Sequence, residues 1–260
     1  MSLLRSGSKL VFATADRLIR SPNGPRILIY HQVGAGLGRQ MEVTADDFVA
    51  QLDYLEENRE VVDLDTALSK WDAADSMNLV VISFDDGYRD TYTTAFPELK
   101  RRGFPFTLYV STGQVESGEV IPGAEPITWT QIAEMLDSGL MTIGAHTHTH
   151  ADLRLCSSDD IEAELDVSND LVHSHTGIKP IHFAYPWGYW SETAHPLVVE
   201  RYATAVLGGS SSRRRPLDRH RINRFPVQLS DEARWFPNRL ENGFRLEESV
   251  RRHLRGYRGP

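Results

Sequence analysis

The chain has 260 residues with a net charge of −8, and 40% of its residues are hydrophobic. This length can bury a large core and is ordinary for one α/β barrel domain. The single cysteine, Cys156, excludes an intramolecular disulfide. No apolar run approaches the ~20 residues that cross a bilayer, and the apolar stretch near the N-terminus is shorter than a signal peptide requires. The sequence therefore predicts no transmembrane segment and a cytoplasmic location.

Positive charge is concentrated near the C-terminus. Residues 213–260 contain thirteen arginines and six acidic residues, a net charge of +7, so residues 1–212 carry −15. We interpret the basic segment as packing on the acidic body, with contact to an anionic glycan or a membrane surface as the alternative. No nucleic-acid-binding motif accompanies the charge, so nucleic acid is not expected as a partner. The sequence specifies no oligomeric state.

Apolar, strand-like segments alternate with helix-like segments along the chain. The predicted strands are residues 27–30, 79–84, 106–110, 141–145, 181–184, 203–207 and 222–227. The predicted helices are residues 45–58, 90–102, 130–138, 158–176 and 192–202. This alternation indicates a parallel sheet, and seven strands favour a distorted (β/α)7 barrel, open or closed.

Two adjacent carboxylates follow the strand predicted at residues 79–84. Asp85 and Asp86 stand at its C-terminal end, and Gly87 permits the sharp turn that follows. Neighbouring side chains on a strand point in opposite directions. One aspartate can therefore bind a metal ion while the other remains free as a base.

Imidazoles follow the strand predicted at residues 141–145. His146 stands at its C-terminal end and His150 on the turn beyond it. In an extended segment His148 would point the same way as His146, but the turn after His146 breaks that register, so we assign His148 no ligand role. Three nitrogen or oxygen ligands with an open position are typical of catalytic zinc, and the same donors suit cobalt, nickel or iron. Asp86, His146 and His150 form such a triad for one divalent ion, with zinc preferred and cobalt or nickel as alternatives.

Three motifs resemble those of the polysaccharide deacetylases that contain the NodB homology domain, carbohydrate esterase family 4. They are Ser-Phe-Asp-Asp-Gly at 83–87, His-Thr-His-Thr-His at 146–150 and Phe-Ala-Tyr-Pro-Trp-Gly at 183–188. The resemblance implies a NodB-type distorted (β/α)7 barrel in which Asp85 is the catalytic base. It also implies that the turn Pro186-Trp187-Gly188 lines the substrate groove, with the Trp187 N–H helping to bind the oxyanion.

Two family features are absent. Many members carry an arginine in the third motif that orients the catalytic aspartate, and that position here is Ala184. Arg224, on the last predicted strand, is a candidate to take its place, with a plain surface arginine as the alternative.

The late Leu-x-His motif that supplies the general acid in much of the family is also missing. His31 follows the first predicted strand at the barrel end where catalytic groups gather, so it is the first substitute candidate. His182 and His220 are the others. The alternative is that each is a hydrogen-bonded structural residue.

The resemblance implies a metal-dependent hydrolase that removes N-acetyl groups, or alternatively O-acetyl groups, from a carbohydrate. Two other hypotheses are a hydrolase of a non-sugar linear amide and a catalytically silent, metal-bearing carbohydrate-binding protein. We predict an appended amphipathic helix within residues 1–25, a catalytic domain at 26–228 and a basic helical tail at 229–260.

Overall fold

The computed structural model describes residues 24–118, 125–209 and 217–242. The strands are β1 (Arg26–Tyr30), β2 (Gln32–Val33), β3 (Glu42–Val43), β4 (Glu60–Val61), β5 (Leu79–Phe84), β6 (Phe106–Val110), β7 (Met141–Ala145), β8 (His182–Ala184), β9 (Thr204–Gly208) and β10 (Ile222–Pro226). The α-helices are α1 (Ala45–Asn58), α2 (Leu64–Ser69), α3 (Phe96–Arg102), α4 (Thr112–Ser117), α5 (Trp129–Asp137), α6 (Ser158–Thr176), α7 (Ala194–Arg201) and α8 (Phe236–Asn242). Short 3₁₀ turns occupy Ser76–Asn78, Pro186–Gly188 and Ala233–Trp235.

Seven parallel strands close into a barrel. The sheet runs in the order β1-β10-β9-β8-β7-β6-β5, and pairing of β1 with β5 completes the ring. Tyr30 lies beside Phe84, and Val110 lies beside Ala145, so the C-terminal ends of these strand pairs are in register. The predicted (β/α)7 barrel is confirmed, and of the open and closed forms the closed one is observed.

Side chains alternate between the inside of the barrel and the surrounding helices. On β5, Val80, Ile82 and Phe84 belong to the same cluster of buried residues as α1 side chains. Leu79 and Val81 belong to a separate cluster with residues from other barrel strands. This period of two places Ser83 and the residue after the strand, Asp85, on the inner face.

The segment 62–71, which contains α2, packs against the inner cluster. Leu64, Leu68 and Trp71 are buried there against residues such as Ile222, which opens β10. The segment therefore covers the amino-terminal end of the barrel. The motif residues stand at the other end of the barrel, at the carboxyl ends of the strands.

The helix predicted at residues 90–102 is two elements. Thr91–Ala95 form a π-helical segment, and α3 follows it directly. The short elements β4, α2 and α4 were not predicted, because two to six residues give too little periodicity to recognise. Among the described residues no helix has the length and apolar character needed to cross a membrane.

The described beginning of the segment predicted as a tail is packed on the body. Phe236 and Leu240 of α8 are buried in the main core, and Arg239 forms a buried ion pair with Asp231 at 2.8 Å. Arg26 of β1 donates hydrogen bonds to the carbonyl oxygens of Leu240 and Glu241. Residues 243–260 and the helix predicted within residues 1–25 lie outside the described ranges, so those domain limits stay predictions.

We expect Arg26→Ala to lower the free energy of unfolding by about 2–4 kcal/mol, since it removes a buried guanidinium and the donor that it supplies to the buried Leu240 carbonyl of α8. The measurement is urea unfolding followed by circular dichroism. Arg89→Ala is the control, because Arg89 pairs with Glu125 at the exposed surface, where such pairs contribute about 0–1 kcal/mol. Equal losses in both variants would contradict the role given to Arg26.

Candidate active site

The motif residues stand at the carboxyl ends of β5, β7 and β8, on one end of the barrel. The Asp85 N–H donates to the Tyr30 carbonyl at 3.0 Å, and the His146 N–H donates to the Val110 carbonyl at 3.1 Å. These bonds extend the barrel ladder by one residue beyond β5 and β7. Asp85 and His146 are both buried, with 2% and 1% of their surface exposed. The hydrogen bonds to the neighbouring strands therefore fix the backbone positions of Asp85 and His146.

Asp86, His146 and His150 form a compact cluster. Asp86 Oδ1 lies 3.4 Å from His146 Nε2 and 3.3 Å from His150 Nε2. One ligand atom from each of the three residues lies within 4.8 Å of the others, and no other such group of three occurs in the described ranges. Asp86 Oδ1 is buried and accepts no well-formed hydrogen bond. One carboxylate oxygen and two imidazole nitrogens facing each other are the donor set of a zinc-type site.

The protonation pattern suits a cation. His146 Nδ1 lies 2.7 Å from the Ala184 carbonyl oxygen, which can only accept, so Nδ1 carries a proton and Nε2 is the ring atom that faces Asp86. Burial alone would lower the pKa of His146, but Asp85 and then Asp86 outweigh it and raise that pKa. Burial and the neighbouring His146 lower the pKa of His150 to about 4, which keeps it neutral. Burial alone would raise the pKa of Asp86, but the surrounding histidines outweigh it and lower that pKa. Binding of a divalent cation would displace the proton of His146 Nε2 and leave one charged oxygen and two neutral nitrogens as ligands.

The backbone is strained at the cluster. Asp86, Thr147, His150 and Trp187 have φ between 60° and 72°, and no other non-glycine residue in the described ranges has positive φ. The left-handed region is disfavoured for residues with a Cβ and costs about 1–3 kcal/mol at each position. Such strain persists only where surrounding contacts fix the backbone, and it collects at functional sites.

This strain corrects the expected separation of Asp85 and Asp86. Strand alternation predicts that their side chains diverge, but φ of 72° at Asp86 turns the chain out of the extended conformation. Both carboxylates consequently approach His146, whose Nε2 lies 3.8 Å from Asp85 Oδ2. The two aspartates differ in their partners, because Asp86 faces the histidines and Asp85 faces Arg224.

Arg224 of β10 holds Asp85 by two parallel hydrogen bonds. Its Nη1 lies 2.6 Å from Oδ1 and its Nη2 lies 2.7 Å from Oδ2, and the guanidinium is fully buried. This bidentate geometry fixes both the position and the rotation of the carboxylate. Burial alone would raise the pKa of Asp85, but Arg224 and then His146 outweigh it and lower that pKa. Asp85 is therefore held as an oriented carboxylate.

Arg224 is fixed in turn by the barrel interior. Its Nη1 also donates to Ser83 Oγ at 3.1 Å, and its Nε donates to the Leu207 carbonyl at 3.3 Å. The Ser83 hydroxyl donates onward to the Leu28 carbonyl at 2.6 Å. The guanidinium also lies over the Tyr109 ring, 5.1 Å from its centroid. Contacts with β5 and β9, the link through Ser83 to β1 and the Tyr109 ring thus fix the position of the Arg224 guanidinium.

The Pro186–Gly188 turn forms one wall of the site. The Trp187 ring lies 5.1 Å from the His150 ring, and 62% of the Trp187 surface is exposed. Behind the turn, a Cβ added to Gly188 would meet the Cα of Gly208 at 2.5 Å. Backbone therefore rests directly on backbone, and β9 fixes the turn that carries the Trp187 N–H.

The four remaining histidines of the sequence analysis lie in different surroundings. His31 is half-buried at the end of β1, its Nδ1 has no hydrogen-bond partner, and it acts electrostatically on Asp85. His148 Nδ1 bonds Thr112 Oγ1 at 3.0 Å, away from the cluster. His220 Nε2 donates to the Tyr202 carbonyl at 2.8 Å.

His182 lies at the opposite end of the barrel from the cluster. It opens β8, and its Nδ1 bonds Thr204 Oγ1 at 2.8 Å. Of the candidates for a general acid, the structure thus brings only His31 to the site.

Two residues near the site were missed by sequence reasoning. Tyr88 interacts with the Asp86 carboxylate, and burial together with that charge raises the pKa of its phenol. Glu164, on α6, accepts hydrogen bonds from the loop that carries His150. Tyr88 directly follows the Asp-Asp-Gly motif, which was an available signal. For Glu164 the sequence contains none, because its contact depends on how α6 packs.

Comparison with known proteins agrees with the fold and the cluster. A sequence profile of the polysaccharide deacetylase family matches residues 72–205, slightly more than half of the chain. The chain belongs to the polysaccharide deacetylase family. It is 28% identical over 169 residues to YxkH of Bacillus subtilis (strain 168), a protein assigned to the polysaccharide deacetylases. The match spans 64% of this chain and 57% of the length of that relative.

Solved structures show the same architecture. The Streptococcus pyogenes deacetylase PplD, determined with acetate, matches with a TM-score of 0.72 at 24% identity, covering 85% of this chain and 100% of that chain. At that identity the likeness shows the fold alone. IcaB from Ammonifex degensii matches with a TM-score of 0.69 at 26% identity, covering 83% of this chain and 98% of that one. The fold and the family assignment agree.

Proposed function

We propose that the protein is a metal-dependent hydrolase that removes N-acetyl groups from a carbohydrate. The observation that carries the proposal is the pairing of two differently held aspartates at one barrel end. Asp86 faces two histidines in a cluster suited to a metal cation, while the neighbouring Asp85 accepts two hydrogen bonds from Arg224. A site that only bound a metal would have no need of the second, separately oriented carboxylate.

The cluster residues fit a divalent ion, with Asp86, His146 and His150 as its protein ligands. The buried Asp86 Oδ1, which accepts no well-formed hydrogen bond, and the Nε2 of His146, which faces it, are the groups that such an ion would bind. We propose zinc, with cobalt or nickel as alternatives, because these metals accept mixed nitrogen and oxygen ligands. When bound, the ion supplies Lewis-acid polarisation of the acetyl carbonyl and lowers the pKa of water.

Asp85 is the proposed general base. Its carboxylate accepts a proton from the water molecule as the water oxygen bonds to the acetyl carbon. Arg224 keeps Asp85 ionised and aimed, and it occupies both carboxylate oxygens in the resting site. The Trp187 N–H, on the neighbouring turn, is the proposed donor to the developing oxyanion, and one such donor contributes about 3–4 kcal/mol to catalysis in other hydrolases.

Breaking the carbon–nitrogen bond requires a proton for the leaving amine. His31 is the proposed donor, because it is half-buried beside Asp85 and Asp86 and its Nδ1 is not engaged by another group. The products are acetate and the free amine of the sugar. This assigns to His31 the role that the missing late histidine motif has elsewhere in the family.

The function is tested by acetate release from the zinc-loaded protein. The substrates are N-acetylated glucosamine oligomers, O-acetylated xylan oligomers and simple linear acetamides, each compared with an Asp85→Asn control. Turnover of the first group alone supports the proposal. Turnover only of the acetamides assigns a non-sugar substrate, and glycan binding without turnover of any substrate assigns a binding protein; either result would overturn the proposal.

We expect Gly188→Ala to lower turnover by about 10²-fold, the loss that a displacement of roughly 1 Å can cause at a reacting centre. The added Cβ would meet Gly208 Cα at 2.5 Å and push the Trp187 turn off β9. The measurement is steady-state acetate release. Gly103→Ala is the control, since Gly103 has a similar φ of 65° but nothing within 4 Å of an added Cβ. A similar loss of turnover in both variants would contradict the positional argument.

A further inference from the structure

The loop that carries the two ligand histidines, residues 146–150, is held from one side by the start of α4. The Gly113 N–H donates to the His148 carbonyl at 2.7 Å, and the Thr112 N–H donates to the Thr147 carbonyl at 3.3 Å. Gly113 has no room for a side chain, because an added Cβ would meet the His148 carbonyl oxygen at 2.7 Å. The carbonyl groups of the loop are thus fixed by α4.

The N–H groups of the same loop are fixed from the other side by one carboxylate. Glu164 Oε2 accepts hydrogen bonds from the His148 N–H at 2.9 Å and the Thr149 N–H at 2.8 Å. Glu164 Oε1 accepts a third from the Thr149 hydroxyl at 2.5 Å. All three donors belong to the two residues that directly precede His150. A carboxylate binds such donors more strongly than a neutral acceptor does.

The conformation of the loop explains why it needs this support. Thr147 and His150 have φ of 64° and 60°, and the left-handed region is especially unfavourable for a β-branched residue such as Thr147. The two peptide units held by Glu164 lie between these strained positions. Without that carboxylate the segment loses three of the bonds that oppose relaxation, and the His150 ring moves with its backbone.

We propose that Glu164 is a positioning residue that sets His150 in the metal cluster through the backbone of the ligand loop. The inference rests on the metal site of the proposed function. Among the described residues, Glu164 hydrogen-bonds only to His148 and Thr149 and to neither the cluster side chains nor Asp85, so it acts through those two residues. Groups that hold metal ligands in this indirect way contribute about 10–100-fold to metal affinity.

The test is titration of the metal-free protein with Co²⁺, which reports both affinity and ligand geometry through its visible absorption. Glu164→Gln keeps the shape but lacks the second acceptor oxygen and the charge, and Glu164→Ala removes both oxygens. Glu162→Gln is the matched control, because Glu162 is an exposed acid on the same helix. We expect weaker Co²⁺ binding by about 10–100-fold, with a changed visible spectrum, in the Glu164 variants alone. Glu164→Ala is expected to show the larger effect.

Thermal unfolding of the metal-free proteins separates positioning from general stability. Weaker Co²⁺ binding with a changed spectrum in a Glu164→Gln protein that melts like wild type supports the proposal. Unchanged affinity and spectrum overturn it, as does a loss that Glu162→Gln shares. A wild-type protein that binds no Co²⁺ overturns both this inference and the proposed function. Co²⁺ binding that depends on Glu164, in a protein that hydrolyses no acetylated substrate, supports the inference while the proposed function fails.

Discussion

Asp85→Asn is expected to lower turnover by about 10²–10⁴-fold, the usual contribution of a general base, while the protein still binds one zinc ion. Asp86→Asn, in contrast, is expected to lose tight zinc binding, because it removes the charged ligand of the cluster. The two residues are adjacent in sequence, but Asp85 bonds Arg224 and Asp86 faces the two histidines. The measurements are zinc stoichiometry after metal-limited dialysis and acetate release at saturating zinc.

His146→Ala supplies the reference for metal loss. Its zinc content is expected to match that of Asp86→Asn, since both remove one of the three ligands. If Asp85→Asn loses zinc as completely as His146→Ala, Asp85 is a ligand and the assignment of the base is wrong. Full turnover by Asp85→Asn would exclude it from proton transfer.

Arg224→Met is expected to lower the free energy of unfolding by about 3–5 kcal/mol, because it leaves the buried Asp85 carboxylate without its partner. Turnover of the folded fraction is expected to fall as well, since both bonds that orient Asp85 are lost. Arg224→Lys retains the charge but not the planar fork. It is expected to lose less stability than Arg224→Met while still losing turnover. Urea unfolding and steady-state kinetics measure the two effects.

The double variant Asp85→Asn/Arg224→Met separates pairing from packing. Because it removes both charges, it is expected to be more stable than the sum of the two single changes predicts. Arg219→Ala is the control for losing an arginine near the same strand, and Arg219 is exposed. Strict additivity in the double variant would contradict a direct Asp85–Arg224 interaction.

Much of this site could be predicted from the sequence, because the ends of the barrel strands can be recognised in it. Continuous apolar runs predicted β5 and β7, and the residue directly after each strand is a site residue, Asp85 or His146. Arg224 was predicted from its position on the last barrel strand, and the structure places its fork on Asp85. Its role in turnover stays a prediction. The position of His182 at the start of β8 could also be predicted, and it places this histidine at the opposite end of the barrel from the one where a general acid is needed.

The remainder depends on contacts that the local pattern does not encode. The left-handed backbone of Asp86 breaks strand alternation, and only the following Gly87 hinted at a sharp turn. Glu164 lies in a helix whose pattern predicts a solvent-facing acid, and its partners come from a loop some fifteen residues earlier. The segment 62–71 is too short and irregular to reveal that it covers one end of the barrel. Long-range packing determines all three features.

That covered end determines how a substrate can approach and leave. Because Leu64, Leu68 and Trp71 fill the amino-terminal end of the barrel, the barrel has one mouth rather than a passage. Under the proposed function, a carbohydrate chain cannot pass through the barrel. It must lie across the opening, with one acetyl group at a time directed toward Asp85. Acetate and the deacetylated glycan then leave by the opening through which the substrate arrived. Under the same proposal we expect acetate that has not yet left this opening to obstruct the next acetyl group, so added acetate should inhibit turnover.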